Sequence, residues 1–340
     1  MLKASRIIII FMSITTCTFL YRLAFKMDCF LCVPLPFRKP PSIDDVLRPG
    51  TGIIFLETSD CLEPRPLVSC ALESAARIYP DRPVVFLMKG LVNHTKEEIN
   101  STHKAFTLLS SIGNVFMFPL NMEKLLNDTP LLPWYVKVNH TGEKHWLHIS
   151  ADASRLAMIW KYGGMYMDTD IISIRRIAVD DFVAAQHSTY SSNGIFSFKF
   201  HHKFILDCME NFVEKYNRSI WGYQGPDLFT RILRKRCKLP VFPEKEDGMC
   251  QNISFLNLQR FYPIGYPSWK RYYEVWKINP TFKDSYALHL WNYMNSEAKS
   301  VIPRSNTLVE HLYKIYCPTT YKVLINSTEE ELMEVGGSRQ

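Results

Sequence analysis

Two aspartates one residue apart, Asp168 and Asp170, lie in a short apolar run, Met165-Tyr166-Met167-Asp168-Thr169-Asp170-Ile171-Ile172, rich in strand formers. In an extended chain alternate side chains share a face, so the two carboxylates point the same way, with Cα atoms about 6.5–7 Å apart at ~3.3 Å rise per residue. Carboxylates backed by an apolar strand are costly to bury unpaired. Hard oxygen donors of this kind suit a divalent cation. A bare Asp-x-Asp also occurs as a solvated turn, and Asp152 with Arg155, three residues apart, also fits a surface helix pair worth a few tenths of a kcal/mol. The combination distinguishes this stretch: the aspartates follow directly on a helix and a Gly-Gly break, with Asp152 and Arg155 one helix upstream.

The elements that must position these groups are legible from periodicity. Ala153, Leu156, Ala157 and Trp160 follow the spacing of one helical face. Ser150 or Asp152 can cap its start, and Gly163-Gly164 can take the positive-φ conformation that ends a helix. Upstream, apolar strands are expected at 52–59, 84–88 and 114–118, with an amphipathic helix at 67–79. This alternation predicts an α/β fold with a mostly parallel central sheet. Ligands gather at the carboxyl ends of such strands. Glu57, Thr58 and Ser59 stand at one such end and Asp168 and Asp170 at another, so Thr58 is either a nucleotide contact or part of a plain strand-to-helix loop. Downstream, residues 191–196 read as a polar turn entering a short strand, and 204–216 as a helix. His201-His202 reads as a surface pair. The loop Trp221-Gly222-Tyr223-Gln224-Gly225-Pro226 precedes a helix at 227–236, which Gly225-Pro226 would start well. Residues 285–294 alternate as a strand with Ala287, His289 and Trp291 on one face. His289 there is either a hydrogen-bonded core residue or a ligand.

The 340 residues, 47% hydrophobic and 13% aromatic, suffice for one large core. A net charge of +7 is modest; its densest basic run, 231–238, fits a solvated helix face, and no nucleic-acid motif accompanies it. Residues 7–21 carry no charge, and with 23–25 they make about 19 residues, near the ~20 of a membrane-spanning helix. A cleaved signal peptide is the alternative, but no small-x-small cleavage site follows. The expected layout is a cytoplasmic tail (1–6), a signal-anchor transmembrane helix (7–25), a Pro-rich stem (26–50), a catalytic domain (51–325) and a disordered tail (326–340). Seven sequons, at Asn93, Asn100, Asn127, Asn139, Asn217, Asn252 and Asn326, point to a luminal catalytic domain. Eight cysteines beyond the anchor permit disulfides there, with a pairing the spacing does not reveal. Cys29 and Cys32, beside the membrane, suit stem crosslinking or palmitoylation better than a zinc pair.

Asp152-x-x-Arg155 followed by Tyr162-Gly163-Gly164-x-Tyr166-x-Asp168-x-Asp170 closely resembles the donor-site signature of a family of retaining sugar-nucleotide glycosyltransferases. One position departs: Ala151 stands where that family usually has Ser. Phe55–Ser59 (FLETS), Tyr190–Phe196 (YSSNGIF), Gln224–Pro226 (QGP) and Leu288–Asn292 (LHLWN) extend the resemblance to the members that form α1,4 linkages, from the anchor to about Tyr321. The resemblance implies a GT-A-type single catalytic domain. It implies Mn²⁺, with Mg²⁺ as alternative, on Asp170 and Asp168, and places His289-x-Trp291 where members have a late metal-binding or stacking residue. It further implies that Asp152, Arg155, Tyr166, Asp168, Thr58, Asn193 and Trp291 bind the donor, that Gln224 lies over the reacting sugar, and that Asp168, Asp170, Arg155 and Gln224 are catalytic. The implied reaction is transfer from UDP-GlcNAc to a terminal β-galactose of mucin-type O-glycans by an anchored type II Golgi enzyme. The alternatives are transfer from UDP-Gal to glycolipid β-galactosides and an inactive sugar-binding protein of the same fold. A metal-dependent phosphohydrolase would need a nucleophile or a second metal cluster, and neither is evident in the sequence.

Overall fold

The structure, a computed structural model, describes residues 41–48, 50–94, 104–237 and 246–337, with side chains as far as 327. The expected anchor and most of the stem, with Cys29, Cys32 and the Asn100 sequon, lie outside the described residues. Among the described residues no helix is long and apolar enough to cross a membrane. Strands β1 (Ile53–Glu57), β2 (Val84–Met88) and β3 (Val115–Pro119) pair in parallel, Ile53 opposite Val84 and Val84 opposite Val115. Strand β4 (Gly164–Met167) joins β1, also in parallel. The sheet continues through β7 (Tyr190–Phe198), β6 (Phe182–His187), β9 (Ile253–Leu256) and β8 (Gly248–Cys250) in the order β3-β2-β1-β4-β7-β6-β9-β8. Beyond β4 only β6 and β9 pair in parallel. A separate antiparallel ribbon joins β5 (Ile171–Ser173) to β10 (Ala287–His289).

The apolar runs form strands because both faces of the sheet are covered. Ile53, Phe55, Val84 and Phe86 enter the core on one side, with the helices Pro66–Ile78 and Leu308–Tyr316. Ile54, Leu56, Val85 and Leu87 enter the other, with Trp146–Tyr162, Lys203–Glu214 and Pro226–Cys237. Each such large side chain contributes about 1.5–3 kcal/mol on burial. Cys70 pairs with Cys317 and Cys237 with Cys250, while Cys61 and Cys208 are free.

Several local expectations are revised. The run 165–172 is two strands: Asp168-Thr169-Asp170 forms a turn, with Ile171 N–H donating to Asp168 O at 3.1 Å, because aspartates favour turns over continued ladder. The central helix starts at Trp146, so Ser150 and Asp152 are interior rather than caps. Trp146 is stacked on His140 with centroids 4.4 Å apart and anchors the added turn. Residues 191–196 are buried within β7, held between β4 and β6. The late strand stops at His289, and Trp291 adopts φ 56°. The basic run is not simply solvated, since Arg236 pairs with Asp207 and Arg231 stacks over Tyr223. The last helix, Pro318–Gly337, continues through residues read as a tail, where Glu, Leu and Met favour helix.

Candidate active site

Gly163 and Gly164 take φ of 66° and 95°, and a Cβ on Gly164 would meet Gly52 O at 2.4 Å. The sharp reversal they allow brings β4 back along the helix it follows. The Asp168–Asp170 turn therefore emerges beside Asp152 and Arg155. Arg155 Nη1 donates to Asn193 O at 2.8 Å and lies 3.1 Å from Asp168 Oδ1; its Nε is 3.6 Å from Asp152 Oδ1. The guanidinium also sits 4.5 Å over the Tyr166 ring. Asn193 Nδ2 donates to Asp152 Oδ1 at 2.6 Å, and the Tyr166 hydroxyl donates to Asp168 Oδ1 at 2.6 Å. From the other side, Asn292 N–H donates to Asp170 Oδ2 at 2.8 Å.

Each aspartate thus has one oxygen held by the protein and one turned inward. His289 Nε2, brought in by the β5–β10 ladder, lies 3.3 Å from Asp170 Oδ1 and 3.9 Å from Asp168 Oδ2. The three residues offer ligand atoms within 4.8 Å of one another. Two such oxygens fit a hard divalent cation. His289 fits less directly. Its Nδ1 faces the Trp291 N–H at 3.2 Å, which places the neutral ring's proton on Nε2, toward the aspartates. Ligation through Nε2 requires the other tautomer and a turn of that amide.

Burial dominates the electrostatics. It pushes Asp152 up to about 6 against the pull of Arg155 and Asn193. Burial also raises Asp170, with His289 opposing and Asp168 adding. At Asp168 burial is the largest single influence, but Arg155, His289 and Tyr166 together outweigh it and hold the carboxyl low. His289 is held above its ordinary value because Asp170 and Asp168 overcome its burial. Among these groups Asp168 is the one poised to remain an anion.

Two cavities meet at this cluster. One, of about 480 Å³, opens at the carboxyl ends of β1 and β2 and includes Thr58, Tyr166, Asp168 and Asp170. The other, of about 520 Å³, is bordered by Asp152, Asn193, Gln224, His289 and Trp291. Arg155, Asp168, Asp170, His148 and Tyr293 border both. Every residue expected at the site therefore lines one chamber or both, but Thr58, Gln224 and Trp291 each turn a side-chain donor to a distant main-chain carbonyl, Trp291 Nε1 to Ile264 O at 2.7 Å. Thr58 Oγ1 donates to Leu147 O at 3.0 Å, and Gln224 Nε2 donates to Phe212 O at 2.6 Å.

Sequence reasoning missed His148, four residues before Asp152 and seven before Arg155, although helical spacing alone would have found it. It also missed Gly194 and Gly225. A Cβ on Gly194 would meet Asp168 Oδ2 at 2.6 Å, and one on Gly225 would meet Asp152 Oδ2 at 2.8 Å. No sequence signal marks a glycine that clears space for a carboxylate distant in the chain.

Residues 66–189 match the model of a glycosyltransferase sugar-binding region containing the DXD motif, and residues 197–324 the alpha 1,4-glycosyltransferase conserved region. Together with the paired carboxylates between two chambers, this defines an enzyme of glycosyl transfer. The chain is 58% identical over 313 residues, 92% of each chain, to alpha-1,4-N-acetylglucosaminyltransferase of Homo sapiens. It is 38% identical over 298 residues to lactosylceramide 4-alpha-galactosyltransferase of Homo sapiens, covering 86% of this chain and 82% of that one. The solved PaToxG glycosyltransferase is 18% identical with a TM-score of 0.43, covering 55% of this chain and 69% of that one. The chain belongs to the α1,4-glycosyltransferase family.

Proposed function

We propose that the enzyme moves N-acetylglucosamine from UDP-GlcNAc, in α1,4 linkage and with retention, to a terminal β-galactose of mucin-type O-glycans. The 58% identity across 92% of both chains to the human enzyme of that name carries the reading. The chambers fit it: the one at the ends of β1 and β2 suits the nucleoside, the other suits two sugars, and the carboxylates stand where a diphosphate would cross. Asp170 and Asp168, with His289 after its tautomer change, would hold Mn²⁺, or Mg²⁺ in its place. The bound cation supplies Lewis-acid stabilisation of the departing diphosphate. Arg155 stands beside the same point and adds fixed positive charge, while Asp152 faces the sugar chamber for donor hydroxyls. Gln224, its amide engaged, acts by holding the 217–225 loop. With the inward oxygens of Asp168 and Asp170 turned to the cation and Asp152 to donor hydroxyls, the acceptor hydroxyl attacks from the leaving-group face and its proton passes to a diphosphate oxygen.

The enzyme works, in this reading, as a single-pass type II Golgi membrane protein with its catalytic domain in the lumen. Two disulfides suit that oxidising compartment, as do the sequons. The test is a donor panel. Soluble chain from residue 41 is assayed with UDP-GlcNAc and UDP-Gal on β-galactosides, with and without EDTA. Transfer of GlcNAc that EDTA stops and Mn²⁺ restores is expected. Transfer of galactose alone would move the protein to the second reading, favoured by its 38% identity to the galactosyltransferase. Metal-dependent UDP binding without turnover would leave an inactive sugar-binding protein.

A further inference from the structure

The outer end of the sugar chamber is built differently from its floor. Trp221, on the loop before the helix Pro226–Cys237, stacks on Tyr293, which follows β10; their centroids are 5.0 Å apart and their planes 19° from parallel. His148 meets Tyr293 edge-on at 4.9 Å and 87°. The three side chains come from three separate elements and border the chamber together. Despite the stacking, Trp221 is 44% and Tyr293 58% exposed, flanked by exposed Ile220 and Met294. Large exposed rings grouped at one cavity mouth are uncommon unless something covers them. His148 lies on the helix face that carries Asp152 and Arg155, and its ring nitrogens have no hydrogen-bond partner among the described residues. Burial and the nearby Arg155 charge hold its pKa below the ordinary value, so at neutral pH it presents one donor and one acceptor.

We infer that the stacked Trp221–Tyr293 pair and His148 form the cradle for the acceptor's terminal sugar, a β-galactose lying with its apolar face on the exposed ring and one hydroxyl on the imidazole. This rests on the acceptor class proposed above, and it names the residues that select it. Galactose carries its 4-hydroxyl axially, which gathers the hydrogens of C3, C4 and C5 into an apolar patch on the opposite face of the ring. Stacking that patch on an aromatic ring turns the axial hydroxyl away from the ring, into the chamber whose floor holds Asp168 and Asp170. Glucose, with the same hydroxyl equatorial, offers a weaker patch and a hydroxyl at the wrong angle. A single aromatic surface therefore binds the acceptor and presents its 4-oxygen, which an α1,4 linkage requires.

Saturation-transfer NMR with methyl β-galactopyranoside, in the presence of UDP and the diamagnetic Mg²⁺, reads the cradle without turnover. Wild-type protein should saturate the H3, H4 and H5 protons most strongly, with methyl β-glucopyranoside several-fold weaker. Trp221→Ala should remove the signal, and Trp221→Phe should keep it. In transfer assays Trp221→Ala should raise the acceptor KM at least tenfold, while calorimetric affinity for UDP with Mn²⁺ stays within twofold. His148→Gln, at a residue that borders both chambers, should lower both the NMR signal and transfer. Thermal midpoints establish that the variants fold. If Trp221→Ala and His148→Gln bind the galactoside as wild type does, or if both glycosides saturate alike, the cradle is wrong even where transfer is active. If wild type turns over no donor yet binds the galactoside through Trp221, the cradle stands and the catalytic reading falls.

Discussion

At the scale of residues, the two aspartates are equivalent in sequence and unequal in place. Asp168 already receives Arg155 and the Tyr166 hydroxyl on one oxygen, whereas Asp170 receives the Asn292 backbone N–H on one oxygen and faces His289 with the other. Much of the Asp168 charge is thus answered within the protein, and Asp170 has more to offer a cation. Asp170→Asn should abolish Mn²⁺-dependent UDP binding in calorimetry, since a neutral amide is a poor partner for a hard ion. Asp168→Asn should cripple turnover and weaken that binding without removing its metal dependence; the reverse pattern would reverse the assignment. Arg155 invites a related substitution. From sequence alone, Arg155→Lys should cost donor turnover at least ~10-fold, about 1.4 kcal/mol, and spare folding. The structure alters the second half of that expectation. The buried guanidinium joins Asp152, Asp168 and the β7 backbone at once, and an ammonium cannot serve all three, so the melting midpoint should fall as well. Asp152 adds a pH dependence. Its folded pKa of about 6 lies above the ordinary 3.8, so the folded state keeps a proton that the unfolded chain releases. The stability this group contributes is present below about 3.8 and is lost as pH rises through about 6. Melting curves at pH 4.5 and 7 should show Asp152→Asn gaining on wild type at the higher pH.

At the scale of elements, the parts legible in the sequence were those with a strong local period. β2 occupies 84–88 as read, and the Gly-Gly break after the central helix was marked by residue type. What was not legible depends on partners far along the chain. The turn between β4 and β5 looked like continuous strand because Met165–Met167 and Ile171–Ile172 share one apolar character, and alternation says nothing about where a ladder ends. His289 reaches the aspartates only because β10 pairs with β5, a contact across more than a hundred residues. Strand β7 shows the same dependence on distant packing. Gly194 has no positive φ to demand glycine; its role is to leave room for Asp168 Oδ2. Gly194→Ala should therefore fold, with a modest loss of stability, yet displace the inward oxygen and cut Mn²⁺-dependent UDP affinity at least tenfold. Equal affinity in the variant would mean that the carboxylate has slack the structure does not show. Gly164→Ala makes the contrast: it must adopt φ near 95° against Gly52 O, and should lose at least about 2 kcal/mol of stability.

At the scale of the whole molecule, an early helix is joined to the C-terminal helices. Cys70, on the helix Pro66–Ile78, is bonded to Cys317 across 247 residues. On the same helix, Glu73 accepts from Thr319 N–H, Thr320 N–H and the Thr320 hydroxyl, which caps the last helix. Ser74 Oγ then accepts from Ser173 N–H at 3.0 Å, and Ser173 ends β5, three residues past Asp170. A covalent tie, a cap and a strand contact thus lie within five residues of one helix. Closing so long a loop restricts the unfolded chain, and removing the bond by Cys70→Ala with Cys317→Ala should cost about 2–5 kcal/mol. The open question is whether the bond also holds the site. A ligand that binds only folded protein stabilises it by about 2.7 kcal/mol at a hundred times its Kd. If the disulfide acts on the unfolded chain alone, UDP with Mn²⁺ should stabilise wild type and the double variant equally, because the folded affinity is unchanged. The Glu73 and Ser74 bonds survive the double substitution, so equal stabilisation is the expected result, on a lower baseline. A clearly smaller ligand effect in the variant would mean that the aspartate turn depends on the covalent tie, and that the hydrogen bonds from this helix are too weak to hold β5 without it.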